Sequence, residues 1–110
     1  MTQPTTRTTA SIYLPCSLRA VFSHYSVNQT ISVESVIVRN SQGKIAHAFT
    51  EEDVSAMRDG AYEVILPAGF PEGSYIDTWS VRGVSSPFRI MSSFWFRIRT
   101  DQHAVLIREE

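Results

Sequence analysis

The sequence predicts an all-β sandwich of seven to eight strands, and three observations predict it. Val, Ile and Thr total 28 residues against 12 for Leu and Ala, and branching at Cβ suits a pleated strand while it crowds a helix. Apolar and polar residues alternate along most of the chain, which is the period of strands buried on one side. Turn signals recur about every ten residues, the spacing that a sandwich requires.

The elements follow in order. Residues 1–9 hold five threonines and a proline, with no apolar side chain after Met1, so they predict an extended N-terminal arm. Ala10, Ile12 and Leu14 then share one face, with Ser11 and Tyr13 on the other, until Pro15 ends the strand. Leu18, Ala20 and Phe22 repeat the pattern with Arg19 opposite. Residues 23–30 are polar and turn-like. Ile31 and Val33 alternate, but Val36 and Val38 have the opposite parity. The phase slip at Glu34-Ser35 predicts a bulge or short turn, with a strand over 35–39. Asn40-Ser41-Gln42-Gly43 is a hairpin connection, and residues 44–49 return as a strand whose clearest apolar residue is Ile45.

Thr50 followed by Glu51, Glu52 and Asp53 is a helix start, with acids at the positive end of the dipole. Val54 and Met57 would share a face, so one or two helical turns are expected near 51–57 before Asp59-Gly60. Tyr62, Val64 and Leu66 alternate up to Pro67, and Pro71-Glu72-Gly73 turns the chain. Tyr75, Asp77, Trp79 and Val81 lie on one face of the next strand, with Ile76, Thr78, Ser80 and Arg82 on the other. Phe88, Ile90, Ser92, Phe94, Phe96 and Ile98 share a parity, opposed by Arg89, Met91, Trp95, Arg97 and Arg99. Residues 103–108 form a short strand or exit arm. The expected organisation is therefore an arm over 1–9, a sandwich over 10–100 and a C-terminal strand or arm over 101–110. The predicted core is Ile12, Leu14, Leu18, Phe22, Tyr62, Val64, Leu66, Tyr75, Trp79, Phe88, Phe94 and Phe96.

Composition bounds the function. The chain has 110 residues, 43% hydrophobic, which is one domain's worth with a core. Net charge is −1 with a single lysine, Lys44, against nine arginines; near-neutrality argues against a dedicated nucleic-acid binder. Arginine is the cation most suited to protein surfaces, although genomic composition explains the ratio equally well. No run approaches the ~20 apolar residues of a membrane helix, and the first residues lack the plan of a signal peptide. A chain made and kept in the cytoplasm is the expectation. One cysteine, Cys16, permits no internal disulfide and no multi-cysteine metal site.

Three runs carry a resemblance: G-A-Y-E-V-I-L-P at 60–67, P-E-G-S-Y-I-D-T-W-S-V-R-G at 71–83 and F-W-F-R-I-R at 94–99. Together with Leu14-Pro15 and the turn within 35–46, they resemble small immunoglobulin-like β-sandwich domains among the structural proteins of tailed bacteriophages. The resemblance covers residues 12–99 and departs at the Glu51–Met57 insertion and after Thr100. It implies an immunoglobulin-like antiparallel sandwich in a virion component: head decoration, neck or connector accessory, or tail part. It implies no catalytic residues.

Candidate chemistry is sparse. His24, His47 and His103 show no ligand spacing, and no metal or cofactor is expected. Cys16 has no base or orienting partner in view and reads as a buried or semi-exposed thiol. Asp77 shares a face with Tyr75 and Trp79; a buried carboxylate needs hydrogen bonds, so a structural role accepting backbone or Tyr bonds is expected rather than general-acid work. Glu51-Glu52-Asp53 lacks the pattern of a calcium loop and reads as a solvated helix start. The Asn28-Gln29-Thr30 sequon has no leader to give it meaning. Arg82, Arg89, Arg97 and Arg99, with Trp95, face outward on late strands. They suit a protein–protein hot spot better than stacking on single-stranded nucleic acid.

The expected function is a non-enzymatic assembly component of a phage particle, made in the host cytoplasm and located in the virion. Its partners would be other virion proteins or copies of itself, with neither nucleic acid nor membrane. The candidate interface is Thr5, Thr6, Arg7 and Thr8 of the arm with Trp95, Arg97 and Arg99. The alternative is a carbohydrate- or cell-surface-binding module using Tyr13, Tyr25 or Trp95.

Overall fold

Where the sequence alternates, inward positions are buried and outward ones are not. The computed structural model describes residues 6–11, 14–22, 31–58, 60–84, 89–99 and 106–109. These form nine strands: β1 (Thr6–Ser11), β2 (Cys16–Val21), β3 (Ile31–Asn40), β4 (Ile45–Thr50), β5 (Ser55–Ala56), β6 (Ala61–Leu66), β7 (Gly73–Gly83), β8 (Arg89–Arg99) and β9 (Leu106–Glu109). One 3₁₀ turn, Glu51–Asp53, joins β4 to β5. The strands make a five-stranded sheet, ordered β1-β8-β7-β3-β4, and a four-stranded sheet, ordered β5-β6-β2-β9. The orders β8-β7-β3-β4 and β2-β6-β5 match G-F-C-C′ and B-E-D of an immunoglobulin-like sandwich.

The pairing is not wholly antiparallel. β1 runs parallel to β8, and β9 runs parallel to β2. Alternation reports which face a residue takes, not the direction of its neighbour. Both parallel pairs join segments far apart in the chain, as parallel pairing requires. Within the expected arm, residues 6–9 belong to β1 and lie along β8 of the chain's own sheet. The β-branched threonines suit that extended backbone.

The core is drawn from both sheets. Leu18, Phe22, Val36, Val38, Val64, Leu66, Trp79, Val81, Phe94 and Phe96 are all essentially inaccessible. Tyr62 is half-buried against this cluster. Leu14 corrects the expected core: it is 46% exposed, because β2 begins only at Cys16 and Leu14 precedes the pleat. Ile12, Tyr13, residues 23–30, Asp59, Phe88, Thr100 and His103 lie outside the described residues.

Two bulges set the parity of β3 and β4. β3 is one continuous strand in which Val33 pairs with Val81 and Ser35 with Ser80, so Glu34 is the extra residue. That slip lets Ile31 and Val33 before it, and Val36 and Val38 after it, face the same core. In β4, Val38 pairs with His47 and Arg39 with Ile45. The extra Ala46 turns Ile45 outward, where it is 59% exposed. The helical expectation shortens to a single turn: Asp53 accepts hydrogen bonds from the Thr50 backbone N–H and hydroxyl at 2.8 and 3.1 Å. Ser55–Ala56 are already extended, and Met57 is exposed rather than sharing a helical face with Val54.

The β6–β7 corner is held by Tyr75, whose hydroxyl donates to the Pro71 carbonyl at 2.6 Å. This is the tyrosine-corner bond of immunoglobulin domains. Two residues on, where such domains place a disulfide cysteine, this chain has Asp77, fully buried. The Trp79 indole N–H donates to its Oδ2 at 2.6 Å. The expected structural role for Asp77 is thus filled by an indole donor rather than by Tyr75. Burial raises the Tyr75 and Tyr62 hydroxyls above the ordinary tyrosine pKa.

Candidate interaction face

The outward residues of the five-stranded sheet assemble the site. Register places Arg39, Ile76 and Trp95 in one row, Ile37, Thr78 and Ser93 in the next, and Ser35, Ser80 and Met91 in a third. Ile45 extends the first row at the β4 edge. β1 lies along the other side of β8, with Thr6 opposite Trp95, Thr9 opposite Arg97 and Ser11 opposite Arg99. A groove of about 430 Å³ runs between Trp95 and the β3–β4 hairpin, with Ile76, Thr78 and Ser93 among its lining residues.

Its walls are built to hold their shape. The Asn40 side-chain oxygen accepts from the backbone N–H groups of Gln42 and Lys44 at 2.9 and 3.0 Å. Gly43 takes the positive φ of +80° that this tight hairpin needs. The Thr78 and Ser93 hydroxyls bond each other at 2.9 Å, which leaves a mainly apolar surface beside Trp95 and Ile76. Behind Trp95, on the core side of the same sheet, Tyr75 and Phe96 stack with centroids 5.5 Å apart.

Charge is uneven along the face. At one end, Glu34 approaches Arg89 at 3.4 Å and Arg82 at 3.7 Å. At the other, Arg39 lines the groove, and Arg97 and Arg99 follow Trp95 on β8. Among the described residues that line the groove, none carries a carboxylate, imidazole or thiol. On the outside of the other sheet, Glu63 accepts from the Ser17 hydroxyl and from Arg19 Nε at 2.8 Å. Those bonds hold its carboxyl below the usual glutamate range.

The structure brings together the two halves of the sequence-predicted interface. Trp95, Arg97 and Arg99 are exposed on β8, and the strand containing Thr6, Arg7 and Thr8 lies beside them. Thr5 is outside the described residues. Arg82 and Arg89 face outward as expected, but they are engaged with Glu34. The groove wall itself, Arg39 and Asn40 with Ile76, was not singled out in the sequence. Its signal was the parity of Ile76, opposite to the buried Trp79. Cys16 is buried, and His47 packs edge-on against Phe49 and Phe70. Among the described residues, no three His, Cys, Asp or Glu side chains gather to hold a metal ion, and no helix is long and apolar enough to cross a membrane.

No protein-family model matches the chain, and no curated protein matches it.

Proposed function

We propose that the chain is a non-enzymatic structural component of a phage particle, a head decoration, neck or tail accessory, acting through protein–protein contacts on the outer face of its five-stranded sheet. The observation that carries this reading is the groove beside Trp95, 41% exposed. It combines an apolar floor and aromatic wall with flanking arginines. Aromatic and arginine anchors over a desolvated pocket are the side chains that dominate protein interfaces. A sugar ring could stack on Trp95, but with Thr78 and Ser93 bonded to each other the floor offers few free groups for its hydroxyls. A protein side chain is the better occupant.

The test is production of the chain together with the other proteins of its own genome, followed by sedimentation of assembled particles. The chain is expected in the particle fraction, and Trp95→Ala is expected to reduce its share at least tenfold while melting shifts by only a few degrees. Exclusion of the wild-type chain from particles would overturn the reading. A saccharide-dependent change in fluorescence that disappears in Trp95→Phe would favour the carbohydrate module instead.

A further inference from the structure

The two sides of the sandwich end differently. On one side β1, the edge of the five-stranded sheet, lies against β9, the edge of the four-stranded sheet. On the other, β4 ends the larger sheet, and among the described residues no strand pairs beyond it. The edge of the smaller sheet on that side, β5, has only two residues. β4 therefore presents a row of backbone N–H and C=O groups to an incoming strand. Natural sheets blunt such edges with charge, proline or a bulge. Ile45–Thr50 contains no Lys, Arg, Asp, Glu or Pro, and the bulge at Ala46 leaves His47–Thr50 in regular pairing with β3.

The strand that matches this edge is the same edge reversed. About a two-fold axis through Ala48, antiparallel pairing sets His47 of each copy opposite Phe49 of the other. These rings already meet edge-on within one chain, with centroids 4.6 Å apart, and aromatic cross-strand pairs are favourable. Ala48 itself is small and exposed, so two copies can approach to strand spacing at the axis. Further out, Lys44 of each copy reaches the Glu51–Asp53 turn of the other. In that turn Glu51 accepts from the Ser32 hydroxyl at 2.6 Å and Asp53 from Thr50. Glu52 is exposed and unbonded among the described residues, and the Lys44 ammonium is exposed and in no ion pair there. Opposite charges at these positions meet twice by symmetry.

We infer that β4 is the contact between two copies of this chain, paired antiparallel about Ala48 into one ten-stranded sheet. The same patch meets itself, so the contact is isologous and closes at two copies. A two-fold perpendicular to the sheet keeps the outer faces of both copies on one side. The row Trp95–Ile76–Arg39–Ile45 then continues into its counterpart. The two β8 strands stand seven strand spacings apart, roughly 34 Å. Such a dimer offers two Trp95 grooves to one partner surface, and the second binding event gains from effective concentration. The contact uses no residue that lines the groove, so it stands independently of what the groove binds.

Sedimentation velocity on the full chain, over a concentration series at low ionic strength, tests this with Ala48→Lys, Lys44→Glu, Glu52→Lys and the double reversal. Wild type is expected to pass from monomer to dimer and no further. Ala48→Lys sets two cations against each other at the axis and is expected to raise the midpoint concentration by about tenfold or more. Because Ala48 is exposed in the single chain, that variant should melt like wild type when both are dilute. Each single reversal is expected to raise the midpoint roughly threefold, and the double reversal to restore it. If Ala48→Lys does not fold, the charge series decides. A wild-type monomer at every concentration, growth past two copies or a midpoint unmoved by a folded Ala48→Lys would overturn the contact. Unaffected single reversals or an unrescued double reversal would overturn the pairing about Ala48. Particle sedimentation keeps the two readings apart. A monomer that enters particles overturns this contact alone, whereas a dimer excluded from particles overturns the assembly reading alone.

Discussion

The β7–β8 hairpin carries two tryptophans on opposite faces of one sheet, and their surroundings have little in common. Trp79 has no exposed surface; its ring lies 6.1 Å from that of Phe22, just past the end of β2 in the facing layer, and its indole N–H is bonded to Asp77. Trp95 faces outward from the partner strand beside Ile76, in a shallow groove. The residue type and the hairpin are the same; strand parity alone decides which tryptophan is buried between the two sheets and which is exposed. A one-residue register slip would exchange the faces, so the pairing of β7 with β8 decides which tryptophan is exposed.

Trp79→Ala should break this contrast most severely. Removing a fully buried aromatic leaves a cavity and costs ~3–5 kcal/mol, a large share of the ~5–15 kcal/mol that holds a typical domain folded. Phe96→Ala, which also removes the stacking partner of Tyr75, should fall in the same range. Urea unfolding measures both, and a wild-type midpoint for Trp79→Ala would show that the inward face of β7 is misassigned.

The Asp77–Trp79 bond sharpens the comparison from the polar side. Asp77→Ala strands a buried indole N–H and should cost ~1–3 kcal/mol. Asp77→Asn retains an acceptor oxygen and should lose less than half as much. Combined with Trp79→Phe, which removes the donor, Asp77→Ala should show a coupling of at least ~0.5 kcal/mol in a double-mutant cycle. Strict additivity would mean that the carboxylate acts through other partners.

These faces were legible in the sequence because burial on one side of a strand imposes period two. The buried residues of β7 and β8, and even the bulge in β3, follow from parity alone. Three features were not legible. The parallel pairings of β1 and β9 depend on backbone hydrogen bonds between segments at opposite ends of the chain, and a row of threonines shows no amphipathic pattern to reveal them. Leu14 looked like core because it continued a parity, but a residue outside the pleat has no assigned face. The groove was visible only as parts, since its wall is a hairpin on β3–β4 and its aromatic is on β8, more than fifty positions away. For Trp95, Arg97 and Arg99, parity indicated exposure; only the register of β3, β7 and β8 shows that Arg39 and Ile76 stand beside them.

The outer face of the second sheet provides an electrostatic contrast with the groove. Glu63 is bonded by Ser17 and Arg19, and those bonds lower its pKa in the folded chain. A lowered carboxyl contributes stability above its unfolded value, about 4.3, and loses it as pH falls through the folded value. Glu63→Gln should therefore cost ~1 kcal/mol at about pH 7, or roughly 4–8 °C in Tm for a domain near this size. The gap between wild type and variant should close below about pH 4. A gap that persists in acid would assign the effect to packing rather than charge.

Trp95→Ala should have the smallest effect on folding and the clearest effect on assembly. With 41% of its surface exposed, Trp95 leaves no closed cavity when truncated. The main loss within the chain is its cross-strand pairing with Ile76, and such pairs contribute ~0.2–1 kcal/mol. The same truncation removes the aromatic wall of the groove, and interface aromatics of this kind commonly carry ~2 kcal/mol or more of binding, a factor of about thirty in affinity. Melting and particle incorporation measured on one preparation should therefore diverge, with a shift of a few degrees in the first and near-complete loss in the second. If the two fall in proportion, the outer tryptophan is part of the fold, and the contrast between the faces of the hairpin disappears.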